Sequence, residues 1–145
     1  MQIKTLTSIS EMLLQIDLIK HLYPEMSLQK YEDYLKAMQP HNYVQIAVFD
    51  NNKCLGMTGL WSGVKLWTGK YLEIDNFIVH PDSRELGVGK MICDYVDRMA
   101  TEQGCTCIVL DAFTGNFKAH RFYYNHGYEP RGFHFIKVID KKGFS

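Results

Sequence analysis

Arg84, Gly87 and Gly89 carry the first chemical signal, in the run Arg84-Glu85-Leu86-Gly87-Val88-Gly89-Lys90. The run follows an apolar stretch, Tyr71 to Val79. It precedes Val88, Met91, Ile92, Tyr95, Val96 and Met99, which recur at helical spacing. A glycine-bearing loop at a helix N-terminus presents unbonded backbone N–H groups, and the helix dipole favours negative charge there. The chemistry this suits is a phosphate cradle for a nucleotide-like cofactor. A plain tight turn has the same look when the loop is taken alone. The loop is not a dinucleotide fingerprint, because the third glycine is absent. It is not a Walker loop, because Gly89-Lys90 lacks the spacing and the Ser/Thr.

A second block lies one expected strand further on, Asn116-Phe117-Lys118-Ala119-His120-Arg121-Phe122-Tyr123-Tyr124-Asn125-His126-Gly127-Tyr128. Asn116, Ala119 and Tyr123 fall at i, i+3 and i+7, on one helix face. None of the six histidines has a partner at ligand or triad spacing, so packed or surface roles are expected for them. Cys54, Cys93, Cys105 and Cys107 form no CxxC pair and are expected as free thiols, with no metal site.

These residues need elements to position them. At 145 residues one domain, 1–145, is expected, with 46% apolar and 22% charged residues. Lysine plus arginine equals aspartate plus glutamate, 16 against 16, so basic excess gives no support for nucleic-acid binding. No apolar run approaches the roughly 20 residues of a membrane span. The start of the chain lacks a signal-peptide core, so a cytoplasmic protein is expected.

Met1 to Thr7 can form an edge strand. Ser8-x-x-Glu11 reads as a capping box, opening an amphipathic helix that stops before Pro24. Ser27 can cap a second helix ending near Pro40. Tyr43 to Phe49 and Cys54 to Ser62 predict a hairpin around Asp50-Asn51-Asn52-Lys53, with Gly56 and Gly59 marking a bulge or close contact. A strand from Lys70 to Val79, the loop and its helix follow. Cys105 to Leu110 suits a central buried strand. A helix over 116–126, closed by Gly127, and a strand from Tyr128 to Ile139 complete a mixed α/β sheet in the order β-α-α-β-β-β-α-β-α-β.

The two blocks together resemble the GNAT superfamily of acyl-CoA-dependent N-acetyltransferases. Arg84, Gly87 and Gly89, after an apolar strand ending Val79-His80-Pro81, match its Arg/Gln-x-x-Gly-x-Gly/Ala motif. Asn116, Ala119, Tyr123 and Gly127-Tyr128 match its Asn-x-x-Ala-x-x-x-Tyr motif ending in Gly-aromatic. The resemblance spans about Tyr71 to Tyr128, and the expected element order is also that of the family.

The resemblance implies acetyl-CoA as cosubstrate. Amides from Arg84 through Glu85, Leu86, Gly87, Val88 and Gly89 to Lys90 would hold the pyrophosphate. Phe77, Ile78 and Val79 would take the pantetheine arm as a pseudo-strand, in a gap left by the next strand. One amide near Phe77 would meet the thioester carbonyl. Asn116 would reach the pantetheine or phosphate region, or cap its own helix, or both. Tyr123 takes the position of a general acid for the departing thiolate, ahead of Tyr124; a packed aromatic is the other reading.

An amine must lose a proton before it attacks. Glu73, and after it Asp75, are candidate bases on a strand where charge is costly unless used or paired. By alternation both share a face with Tyr71, Phe77 and Val79, unless a bulge intervenes, as is common in the family. Hydrogen-bonded structural roles are the alternative for both. The resemblance also allows a homodimer. Two rivals stay open: a non-catalytic acyl-CoA sensor of the same fold, and a nucleotide-binding α/β protein with a parallel sheet.

Overall fold

The computed structural model describes residues 1–144. The chain divides into two compact units, Met1–Leu110 and the residues from Asp111 onward.

In the first unit, five strands lie in the order β1-β2-β3-β4-β5. They are β1 (Gln2–Leu6), β2 (Tyr43–Asp50), β3 (Lys53–Lys65), β4 (Gly69–Val79) and β5 (Cys107–Leu110). β1 to β4 pair antiparallel, and β5 joins β4 in parallel. The expected hairpin forms between β2 and β3. Asn51 takes φ 55° in its two-residue turn, a conformation that asparagine tolerates better than most residues. β3 runs further than expected, to Lys65, so the next hairpin is tighter. β5 is half-buried and last in the order of the five-stranded sheet, where a central buried strand was expected.

The helices of this unit are α1 (Ile9–Leu13), α2 (Ile16–Ile19), α3 (Leu28–Met38) and α4 (Val88–Glu102). Ser8 accepts the Glu11 N–H at 3.2 Å, and Ser27 accepts that of Lys30 at 3.1 Å, so both expected caps form. The single helix expected after Ser8 is broken at Leu14–Gln15. The change of direction buries Leu18 together with Ile19 beside Met12, whereas exposed Leu14 marks the bend.

The sheet has two apolar faces. On one, Tyr43, Ala47, Phe49, Met57 and Ile78 pack with Met12, Leu18, Ile19, Tyr31 and Leu35 of the first three helices. On the other, alternation places Ile46, Val48, Leu60, Leu72 and Ile74, all buried, with the buried stripe of α4: Val88, Ile92, Val96 and Ala100. Each of the larger apolar side chains (Val, Leu, Ile, Phe, Met) contributes about 1.5–3 kcal/mol when fully buried. β4 is therefore covered on both faces.

The second unit contains α5 (Phe117–Asn125). Asn116 Oδ1 accepts the Ala119 N–H at 3.2 Å, and Gly127 ends the helix with φ 89°. Residues 128–139 form no strand, contrary to the expectation for Tyr128 to Ile139. A strand needs a hydrogen-bonded neighbour as well as apolar alternation, and Phe133, Phe135 and Ile139 are exposed. No described helix is long and apolar enough to cross a membrane.

Candidate active site

β4 changes character halfway along. Its pairing with β5 runs from Tyr71 to Ile74 and stops, while β4 itself continues to Val79. On the other side its pairing with β3 slips between Met57 and Gly59, so that Thr58 lies opposite both Asn76 and Phe77. That is a β-bulge, and Asn76 within it has φ 53°.

The bulge corrects the expected face assignment. Glu73 lies opposite Trp61, Asp75 opposite Gly59, and Ile78 packs in the core beneath the first three helices. All three therefore face those helices. Phe77 and Val79, expected on the face of Glu73 and Asp75, are turned to the α4 face instead. The extra residue shifts the period-two pattern by one.

Asp75 is built into the bulge. Its Oδ1 accepts the Asn76 N–H at 2.8 Å and its Oδ2 accepts the Trp61 indole N–H at 3.0 Å. The Thr58 hydroxyl donates to its backbone carbonyl at 3.0 Å. Both carboxylate oxygens of Asp75 are thus engaged within the bulge. Glu73 is half-buried on the same face.

Behind the bulge lies a run of buried polar groups that sequence reading missed. Gln45 donates to the Tyr31 hydroxyl at 2.8 Å and to that of Tyr43 at 3.2 Å. Tyr43 donates to Asn76 Oδ1 at 2.8 Å, and Asn76 Nδ2 donates to the Tyr23 hydroxyl at 2.8 Å. Burial pushes all three phenols above their usual range, so they remain protonated donors at neutral pH. The available signal was an asparagine in an apolar strand and a glycine, Gly59, in the neighbouring one. A Cβ at Gly59 would lie 2.4 Å from Tyr43 Oη and 2.7 Å from Asn76 Oδ1. Gly59→Ala is accordingly expected to cost about 1–3 kcal/mol, the usual range for overpacking. A denaturant melt with an unchanged m-value would show it, and a midpoint equal to wild type would contradict it.

After Val79 the chain passes His80, whose N–H bonds Leu55 O at 2.8 Å, and a short 3-10 turn at Pro81–Ser83. Arg84, Glu85 and Leu86 are exposed. Gly87 is the N-cap of α4, with φ 77° and no side-chain capping bond. The amides of Val88, Gly89 and Lys90 thus open the helix with no side-chain cap on them. The Val88 side chain is fully buried, 2.7 Å from where a Cβ on Gly56 would stand, so only its amide is on offer. Lys90 pairs with Asp94 at 2.6 Å, which keeps its ammonium charged. A cleft of about 250 Å³, lined by Leu72, Met99 and Gln103 among others, lies toward the opposite end of α4.

Two of the four thiols are poor nucleophiles. Burial pushes Cys54 up to about 11 and Cys93 up to about 12, so neither is a thiolate at neutral pH. Among the described residues no three His, Cys, Asp or Glu side chains come together to hold a metal ion.

In the second unit, Asn116 caps α5 through its side chain, which is the structural reading of this residue. Tyr123 is half-buried, edge-on to Phe122 at 5.4 Å and to Tyr128 at 5.6 Å. Tyr124 is 57% exposed. His120 and His126 bond backbone carbonyls of Phe113 and Phe122, each at 2.8 Å. His134 bonds Asp111 at 2.7 Å.

Comparison with known proteins places this arrangement of strand, loop and helix in a family. The model of the acetyltransferase (GNAT) family matches residues 9–128. The chain belongs to that family of acetyltransferases. An uncharacterized N-acetyltransferase, YhdJ, of Bacillus subtilis is 28% identical over 121 residues, covering 83% of this chain and 85% of that protein. The aminoalkylphosphonate N-acetyltransferase of Salmonella typhimurium is 25% identical over 118 residues, covering 79% and 76%. The fold is shared with an aminoglycoside acetyltransferase from an uncultured soil metagenomic sample, solved with trehalose. The TM-score is 0.82 at 18% identity, covering 96% of both chains. The mixed α/β sheet expected from sequence is thereby that of the GNAT fold.

Proposed function

We propose that the chain transfers an acetyl group from acetyl-CoA directly to a primary amine. The observation that carries this reading is the edge of β4. It loses β5 after Ile74 yet runs on, bulged, through Phe77, Ile78 and Val79 into the Gly87 loop. A strand edge that β5 has left would meet the amides of a pantetheine arm, and the start of α4, with no side-chain cap, suits a pyrophosphate. The amide of Phe77 would polarise the thioester carbonyl as the oxyanion forms. Glu73, and after it Asp75, would take the proton from the amine. Tyr123, at the family's acid position, would return a proton to the CoA sulfur. The raised pKa values of Cys54 and Cys93 support direct transfer over a route through either as an acyl-cysteine. One relative is an aminoalkylphosphonate N-acetyltransferase, and an aminoalkyl acceptor there supports an amine acceptor here.

Acetyl-CoA is expected to stabilise the folded protein by about 2.7 kcal/mol at a hundred times its Kd. Thermal melts with and without it read this directly. A panel of primary amines, scored by thiol release from acetyl-CoA, then tests turnover. No melt shift would sink the cofactor assignment. A shift without release on any amine would make the chain an acyl-CoA sensor.

A further inference from the structure

We propose that the tip of the β3–β4 hairpin docks the protein on an anionic lipid surface, without crossing it. Leu66 and Trp67 enter the headgroup layer, and Lys65 and Lys70 meet its negative charge. The inference is independent of acetyl transfer.

The tip is built inside out. Lys65 stands opposite Gly69, and Leu66, Trp67 and Thr68 join the two strands. Thr68, the one polar side chain of the three, is 5% exposed, and its hydroxyl donates to Gly69 O at 2.9 Å. Leu66 is 108% exposed, Trp67 74%, and Val64 on the strand below 75%. The turn is pinned in this arrangement. Gly69 has φ 69°, and a Cβ on it would stand 2.9 Å from Thr106 Oγ1. The Thr106 N–H bonds Lys70 O at 2.8 Å. The fold thus tucks a threonine away and holds an aliphatic and an indole side chain in water. A single exposed apolar residue is ordinary, but three together at a hairpin tip mark a contact surface.

The charge of the hairpin selects the partner. From Cys54 to Leu72 the chain carries two lysines and no Asp or Glu, although the whole chain is neutral. Lys65 shares a sheet face with Tyr71 and lies 5.0 Å over its ring. Lys70, opposite Val64, is on the other face, and its ammonium donates to Gln103 O at 2.7 Å. Both lysines are exposed, one on each side of the tip, and among the described residues neither forms an ion pair. An indole has an apolar body and one N–H for the wet side, which suits the headgroup level, and lysines beside it are drawn to an anionic leaflet. A second copy is the poorer occupant. A two-fold contact through the tip would bring like charges together, with no carboxylate on the segment to pair them. A folded protein partner also fits less well. A standard interface takes about 20–30 residues a side, and the tip offers the side chains of Val64, Leu66 and Trp67. A lipid surface demands no matching shape. β4 has 11 residues, so at about 3.3 Å per residue the tip lies on the order of 30 Å from Val79, the end that leads to the Gly87 loop. Docking leaves that loop clear of the lipid.

The test mixes the protein with vesicles of equal parts phosphatidylcholine and phosphatidylglycerol, or of phosphatidylcholine alone. Co-sedimentation and tryptophan emission are read. Wild type is expected to bind the mixed vesicles about fivefold or more tightly than phosphatidylcholine. Its emission should shift to the blue as Trp67 leaves water, while Trp61 stays bonded to Asp75. Leu66→Ser/Trp67→Ser should bind the mixed vesicles more than about tenfold more weakly, without the shift. Lys65→Ser should bind them about fivefold more weakly. Melting temperatures should match wild type, because all three side chains are exposed. Wild type that fails to sediment with the mixed vesicles would overturn the inference. Equal affinity for the two kinds of vesicle, or unweakened binding by Leu66→Ser/Trp67→Ser, would do the same. A lipid-free wild-type dimer that this double variant converts to monomer would give the tip to a second copy instead. Polyglutamate bound as tightly as the mixed vesicles would give it to an acidic protein. Each of these failures leaves the acetyl-transfer reading intact.

Discussion

Tyr123→Phe is expected to lower kcat for acetyl transfer on the order of 10²-fold, the lower end of what general acid catalysis contributes. CoA affinity and melting temperature should hardly change. Phenylalanine keeps the ring that stands edge-on to Phe122 and Tyr128, so the packing around it survives. What it removes is the hydroxyl that would protonate a departing thiolate. Thiol release from acetyl-CoA measures the loss. The matched control is Tyr124→Phe. Tyr124 is 57% exposed and lies about 100° around the helix from Tyr123, so it should be silent. An unchanged kcat in Tyr123→Phe would mean that another group or solvent protonates the sulfur.

Gly87→Val carries the second large effect, in two parts. Gly87 has φ 77°, and a side chain there costs roughly 1–2 kcal/mol of backbone strain. A Cβ would meet nothing within 4 Å, so the strain is conformational rather than steric in the protein alone. The second part is loss of acetyl-CoA binding by more than about tenfold, since a branched side chain would stand where the pyrophosphate must approach the α4 amides. Gly104, beyond the other end of α4, separates the two. It has φ 71° and likewise an open surround. Gly104→Val should lower stability comparably while leaving binding, measured by calorimetry below both melting temperatures, as in wild type. Equal binding by Gly87→Val and Gly104→Val would place the pyrophosphate elsewhere.

Both substitutions test residues that stand out in the sequence. Gly87 and Tyr123 belong to short, locally spaced patterns, and local patterns are where chain chemistry is most readable. Ser8 and Ser27 cap helices, Asn116 caps α5, and Asp50 to Lys53 turns a hairpin because each needs only its neighbours within four residues. A mixed sheet followed from the same signals, although six strands were expected and five form. Three expectations failed where a local signal met a distant requirement. The first helix breaks at Leu14–Gln15 because burying Leu18 and Ile19 against the sheet outweighs one continuous stripe. β5 ends the five-stranded order although its apolar run reads as central. Residues 128–139 alternate like a strand without forming one, because alternation supplies no hydrogen-bond partner.

The stretch from Tyr71 to Lys90 divides along the same line. Its residue order is sufficient to announce a strand, a loop and a helix start suited to an anion, because periodicity, glycine and the helix dipole are properties of the segment itself. Its order cannot announce which side of the strand each residue serves. That depends on Thr58 standing opposite two residues, and on Tyr43 and Tyr23 holding Asn76 from 33 and 53 positions away. One residue of slip exchanges the two faces of everything beyond it. Folding therefore sets Glu73 and Asp75 beneath the first three helices and sends Phe77 and Val79 to the α4 face. The slip costs an unfavourable φ, which Asn76 bears through hydrogen bonds that exist only in the folded sheet.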